Sequence, residues 1–137
     1  SELSSDESLI FLITTFPAMI VYYEEGVIFT YAKIDNELWG MPLDGILHEL
    51  MHFQTNYYYR ENSDSVVSHL SKGEYYTLKE SLTALLDESW KPIMTLPDAS
   101  YPEFQDLRNK LHNHYSKYHD FDKLMEYGAK EVKDYKM

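Results

Sequence analysis

Apolar and polar positions alternate with strand-like spacing over much of the first forty residues, and helical stripes take over after that. Residues 18–23 (AMIVYY) and 27–33 (VIFTYAK) read as antiparallel strands about the turn Glu24-Glu25-Gly26, and residues 37–41 (ELWGM) as a short third strand beyond the turn at Asp35-Asn36. Residues 9–16 carry two competing patterns. Ser4 and Glu7 have the spacing of a capping box that would open a helix, whereas Ile10, Ile13, Thr14 and Thr15 are β-branched and favour a strand. Pro17 ends the element in either case. The three later strands form a small meander, one face of which needs a helix to cover it.

Pro42, Leu43 and Asp44 lead into a first helix, with Asp44 placed as its cap and Ile46, Leu47, Leu50, Met51 and Phe53 as its buried residues. The chain turns polar over residues 60–65, has a short apolar patch at 66–70, and breaks at Ser71-Lys72-Gly73. Residues 77–90 (TLKESLTALLDESW) predict a second helix, with Leu78, Leu82, Leu85 and Leu86 on one stripe. Pro92, Pro97 and Pro102 punctuate the loop that follows. Phe104, Leu107, Leu111, Tyr115 and Tyr118 repeat at three and four, which predicts a third helix over 103–118. A fourth spans 121–135, with Gly128 as its one point of interruption. The expected fold class is therefore α+β: a three-stranded antiparallel sheet packed against about four helices. Without repeats, low-complexity tracts or a long linker, residues 1–137 read as one domain.

Composition narrows the partners. The 137 residues carry a net charge of −11, with 23 acidic against 12 basic side chains, which argues against nucleic acid and against an anionic membrane surface. Residues 9–21 are the most apolar run, but Thr14, Thr15 and Pro17 interrupt it and it is too short to span a bilayer. It follows Glu2, Asp6 and Glu7 rather than a basic segment, so it does not read as a signal peptide. No membrane association is expected, and a cytoplasmic location is the default. There is no cysteine, so any metal has to be held by His and carboxylate.

One stretch carries chemistry. Leu47-His48-Glu49-Leu50-Met51-His52-Phe53 contains H-E-x-x-H. On a helix, positions i and i+4 lie about 40° apart around the axis, so His48 and His52 share a face and supply half of a tetrahedral Zn2+ site. Glu49 is offset by about 100° from His48, placed to act as the general base of a zinc hydrolase without being a ligand. A catalytic zinc site needs a third protein ligand. The continuation that would put Gly at 55 and His at 58 is absent, since those positions hold Thr55 and Tyr58. Glu80, 28 residues beyond His52 on the second helix, is the next candidate. Thr77-Leu78-Lys79-Glu80 also has capping-box spacing, in which Glu80 would bond the Thr77 backbone instead. Glu74, Asp87 and His69 are the substitutes.

At His48–His52 and residues 80–84 the chain resembles the gluzincins, H-E-x-x-H metallopeptidases with a third ligand Glu on a downstream helix, and most of all their minimal single-domain members. The resemblance implies a zincin-like fold, zinc on His48, His52 and Glu80, Glu49 as catalytic base and acid, and a peptide or protein substrate. An Asp four residues after the ligand Glu, which orients a histidine in that family, is Ala84 here. The resemblance also suggests a downstream His or Tyr at the oxyanion, for which His112, His114 and His119, among Tyr115 and Tyr118, are candidates that read equally as surface or packing residues; at least one of Tyr57, Tyr58 and Tyr59 is expected near the cleft. Trp39 and Trp90 read as core. The rival expectation is a non-catalytic protein that uses the motif helix for metal-stabilised folding or partner binding.

Overall fold

The computed structural model describes the backbone of residues 10–14, 20–22, 27–31, 40–86 and 101–135, and the side chains of 45–86 and 101–135. Residues 45–86 and 101–135 are 86% helical and contain no strand. The α+β fold built on a three-stranded antiparallel sheet is thus overturned for the body that carries the motif, which is helical. The backbone upstream does run as short strands, β1 (Ile10–Thr14), β2 (Ile20–Tyr22) and β3 (Val27–Tyr31), but not as the expected meander. Their order is β1-β3-β2, with β1 parallel to β3 from Ile10↔Val27 to Thr14↔Tyr31 and β2 antiparallel to it.

The expected third strand fails because a helix claims its end. Helix α1 spans Gly40–Thr55, so Met41 is helical and Asp44 lies inside the helix rather than at its cap. Pro42 falls in the first turn, where a missing N–H has no intrahelical partner to lose. Residues 37–39, Trp39 among them, lie outside the described residues, as do Ser4, Glu7, Asp87, Trp90, Pro92 and Pro97.

Past Thr55, α1 runs into a π-turn (Asn56–Arg60), and a 3-10 turn follows at Val66–His69. Arg60 ties the two together. Its Nη1 donates to the carbonyls of Val67, Ser68 and Leu70 at 3.1, 3.2 and 2.7 Å, and its guanidinium lies 4.9 Å from the Tyr75 ring centre. Helix α2 (Lys72–Leu82) starts five residues before the expected Thr77. Ser71 is its N-cap: the Ser71 hydroxyl accepts from the Glu74 N–H, and the Glu74 carboxylate accepts from the Ser71 N–H. Glu74 is thereby spent on a cap, and Glu80 is freed from that role by sitting in the last turns of the helix. From Thr83 to Leu85 the backbone tightens into 3-10 geometry.

After a 3-10 turn at Pro102–Phe104 come α3 (Gln105–Tyr118) and α4 (Phe121–Asp134), linked by only two residues. His119 closes α3 in left-handed geometry (φ 49°), and the Asp120 carboxylate accepts from the Lys123 N–H to open α4. Leu78, Leu82 and Leu85 of α2 and its extension meet Leu107 and Leu111 of α3 and Leu124, Met125, Ala129 and Val132 of α4 in one buried cluster. α4 runs through Gly128 without a break. The glycine is there for contact: a Cβ would stand 2.6 Å from Leu78 Cδ1 and 3.1 Å from Leu111 Cδ2.

Gly128→Val is therefore expected to lower stability by about 1–3 kcal/mol through overpacking. Gly73→Ala, where a Cβ meets nothing within 4 Å, should raise it by up to about 1 kcal/mol. Urea unfolding of the two variants checks both signs; equal stabilities would show that α4 does not pack this closely.

Candidate metal centre

The two histidines project from one face of α1, with ring centres 4.4 Å apart and planes at 80°. α1 packs beside α2, and from α2 the Glu80 carboxylate reaches both rings. Glu80 Oε2 lies 3.5 Å from His48 Nε2, and Oε1 lies 3.4 Å from His52 Nε2. His48 is 23% exposed, Glu80 12% and His52 1%. Glu49 is half-buried, and one ligand atom each of His48, Glu49 and His52 falls within a 4.8 Å group.

These spacings fit a small cation. Donor atoms about 2.0–2.1 Å from a tetrahedral zinc stand about 3.3–3.4 Å from one another. Each imidazole stands at about this separation from a Glu80 oxygen, though from a different one, Oε2 for His48 and Oε1 for His52, and the described residues whose donor atoms all lie within 4.8 Å of one another are His48, Glu49 and His52. Apart from this 3.4 Å approach, neither ring nitrogen of the buried His52 has a hydrogen-bond partner among the described residues. A buried polar group left so is unusual and calls for a ligand or other cause. Two imidazoles and a carboxylate are also a donor set that suits zinc. Among the described residues, His52 Nδ1 lacks the carbonyl or carboxylate that generally orients a ligating imidazole.

Burial holds the His52 pKa below its ordinary 6.5, outweighing the neighbouring Glu80 carboxylate, so the ring is neutral near pH 7. Burial alone would raise the Glu80 carboxyl. Its contacts with His48 and His52 and the charge of Lys79 override that and hold it well below the usual carboxylate range. Lys79 Nζ sits 3.0 Å from Glu80 Oε1, the oxygen nearest His52, and 5.5 Å from the centre of the Tyr76 ring. The ammonium thus competes with any metal for that oxygen.

The other sequence candidates are dispersed. His69 is exposed on the 3-10 turn. His114 stacks on Tyr127 at 4.3 Å, within the α3–α4 packing. His119 is the left-handed cap of α3, while His112 is half-buried on that helix. Tyr57 is exposed, and the Tyr59 hydroxyl donates to Asp122 at 2.6 Å. Tyr58 and Tyr59 line a cavity of about 670 Å3 with Asp64, Asp122 and Glu126, which shares no residue with the His48–Glu80 cluster. Sequence reading missed Lys79, whose adjacency to Glu80 was visible, and Arg108, which is buried behind Glu80.

Searches against protein-family models, curated proteins and solved structures give no match to this chain. No helix of the described residues is long and apolar enough to cross a membrane.

Two outcomes are expected from this geometry. Lys79→Met should bind zinc about tenfold more tightly in competition with a chromophoric chelator, equivalent to about 1.4 kcal/mol. Unchanged or weaker binding would mean that the ammonium does not contest the site. In metal-free protein the lowered His52 pKa means that the unfolded chain takes up the proton first as pH falls. Stability should therefore be level above pH 6.5 and decline below it; a rise between pH 7 and 5.5 in urea titrations would contradict the neutral, buried ring.

Proposed function

We propose that this protein is a zinc-dependent hydrolase of gluzincin type, a metallopeptidase acting on a peptide or protein substrate. The observation that carries this reading is the approach of one Glu80 carboxylate to two imidazoles from another helix, at 3.4 and 3.5 Å. His48, His52 and Glu80 would hold the metal, and Glu49, on the helix between the histidines, stays beside it. The grouping of Glu49 with the histidines within 4.8 Å also admits Glu49 as a ligand; Glu80 is preferred in this reading because it approaches both imidazoles from another helix.

When bound, zinc supplies Lewis acidity that makes a water nucleophilic near neutral pH and polarises a carbonyl. In this reading the Glu49 carboxylate takes the proton of the attacking water and later delivers it to the leaving amine. The neutral state of His52 is the one that donates a lone pair. Lys79 places a positive charge 3.0 Å from Glu80 Oε1.

A second reading is a metal-stabilised or partner-binding protein without catalysis. It is favoured by the Nδ1 of His52, which among the described residues has no hydrogen bond to orient its ring.

Glu49→Gln separates the two. A hydrolase variant should keep its zinc and its melting temperature yet lose about 10²–10⁴-fold of its cleavage of a peptide library, the usual contribution of a general base. Wild-type cleavage that survives chelation, or that Glu49→Gln leaves intact, would sink the catalytic assignment.

A further inference from the structure

The end of α2 that bears Glu80 is fastened from a third helix. Arg108, on α3, is 3% exposed. Its Nη1 donates to Thr83 Oγ1 at 2.6 Å and to the main-chain carbonyl of Glu80 at 3.3 Å. The Thr83 hydroxyl donates to the same Glu80 carbonyl at 2.7 Å. These bonds converge where α2 passes from α to 3-10 geometry at Thr83–Leu85. There helical carbonyls lose their regular partners and the negative end of the helix dipole welcomes a cation. A guanidinium is costly to bury, and apolar side chains of its size often serve stability as well or better. What a Met could not do is hold the Glu80 carbonyl.

We propose that Arg108, acting with the Thr83 hydroxyl, is a positioning residue that sets the Glu80 carboxylate in register with His48 and His52. The proposal rests on the reading of Glu80 as a metal ligand. Glu80 is the one member of the cluster that comes from outside α1, so its placement depends on the rotation and tilt of the α2 terminus. A shift of that terminus by a fraction of an ångström moves the carboxylate relative to both imidazoles, whereas the spacing of the two histidines is internal to α1. Arg108 reaches Glu80 through main chain and not through the carboxylate, so it can fix the ligand without competing for its oxygens. Lys79 does compete for them, and the two cations have opposite effects.

The test is zinc affinity, with zinc alone as the probe, measured by chelator competition on the full chain. Arg108→Met and Thr83→Val should each weaken binding about 10–100-fold, the usual effect of losing a group that orients a ligand. Thr83→Ser, which keeps the hydroxyl, should bind as the wild type does. Combining Arg108→Met with Glu80→Gln should cost no more than Glu80→Gln alone, because both act on one contact. If Arg108→Met does not fold, Thr83→Val against Thr83→Ser decides the matter. A melting temperature that drops while zinc affinity stays constant, or losses that add in the double variant, would overturn the positioning role. Zinc affinity untouched by Glu80→Gln would instead remove Glu80 as a ligand, and this proposal with it.

Discussion

Helix α2 has to satisfy two neighbours at once, and the rotation it adopts to do so decides what the site can be. Leu78 and Leu82 are fully buried against α3 and α4. Burying a leucine is worth about 1.5–3 kcal/mol, so turning the helix by a single position, about 100°, would give up several kcal/mol. Glu80 lies two positions from each of these leucines, about 200° around the axis from either. With the leucines seated, its carboxylate has to point to the other side, where α1 lies. The core and the candidate site are thus two faces of one constraint. Arg60 supplies the complementary restraint, since its three carbonyl bonds tie the end of α1 to the turn just before α2.

The charge pattern around Glu80 runs against that of the chain. A protein with a net charge of −11 places a lysine ammonium on one Glu80 oxygen, imidazoles near both, and a guanidinium on its carbonyl. A half-buried carboxylate in so cationic a setting stays ionised, which is the form that binds a cation. Lys79 works against a metal, as does the His52 ring, which no described residue orients through Nδ1; the ammonium also keeps the metal-free carboxylate from being left uncompensated.

What could be read from the sequence was what repeats over short distances. The i, i+4 histidines, the leucine stripe of α2 and the three-and-four spacing of α3 are all local, and the structure shows these leucines buried. Errors arose where a signal was ambiguous or its partner remote. Ser71-x-x-Glu74 and Thr77-x-x-Glu80 both have capping-box spacing; Gly73 made the first look like a break, yet Gly is tolerated in a first turn. β2 and β3 fall within the first two expected strands, but the third gives way to α1, and residues 9–16 stay open between helix and strand. The parallel partnership of β1 with β3 is a long-range choice that alternation cannot reveal. Arg108 did leave a trace: it falls between Phe104 and Leu111 on the apolar stripe of α3, at spacings of four and three. A charge in that position is a sign of a buried polar partner, although nothing local says that the partner is Glu80.

The two-residue link between α3 and α4 has a consequence for the order in which the molecule forms. Contacts across so short a connection close little loop entropy, and helical hairpins of this kind assemble on the microsecond-to-millisecond scale. The pairing of α1 with α2 has to close a longer, polar segment first. Arg108 sits within the α3–α4 hairpin, whereas its bonds to Glu80 and Thr83 span 28 and 25 residues, so a larger loop has to close before they can form.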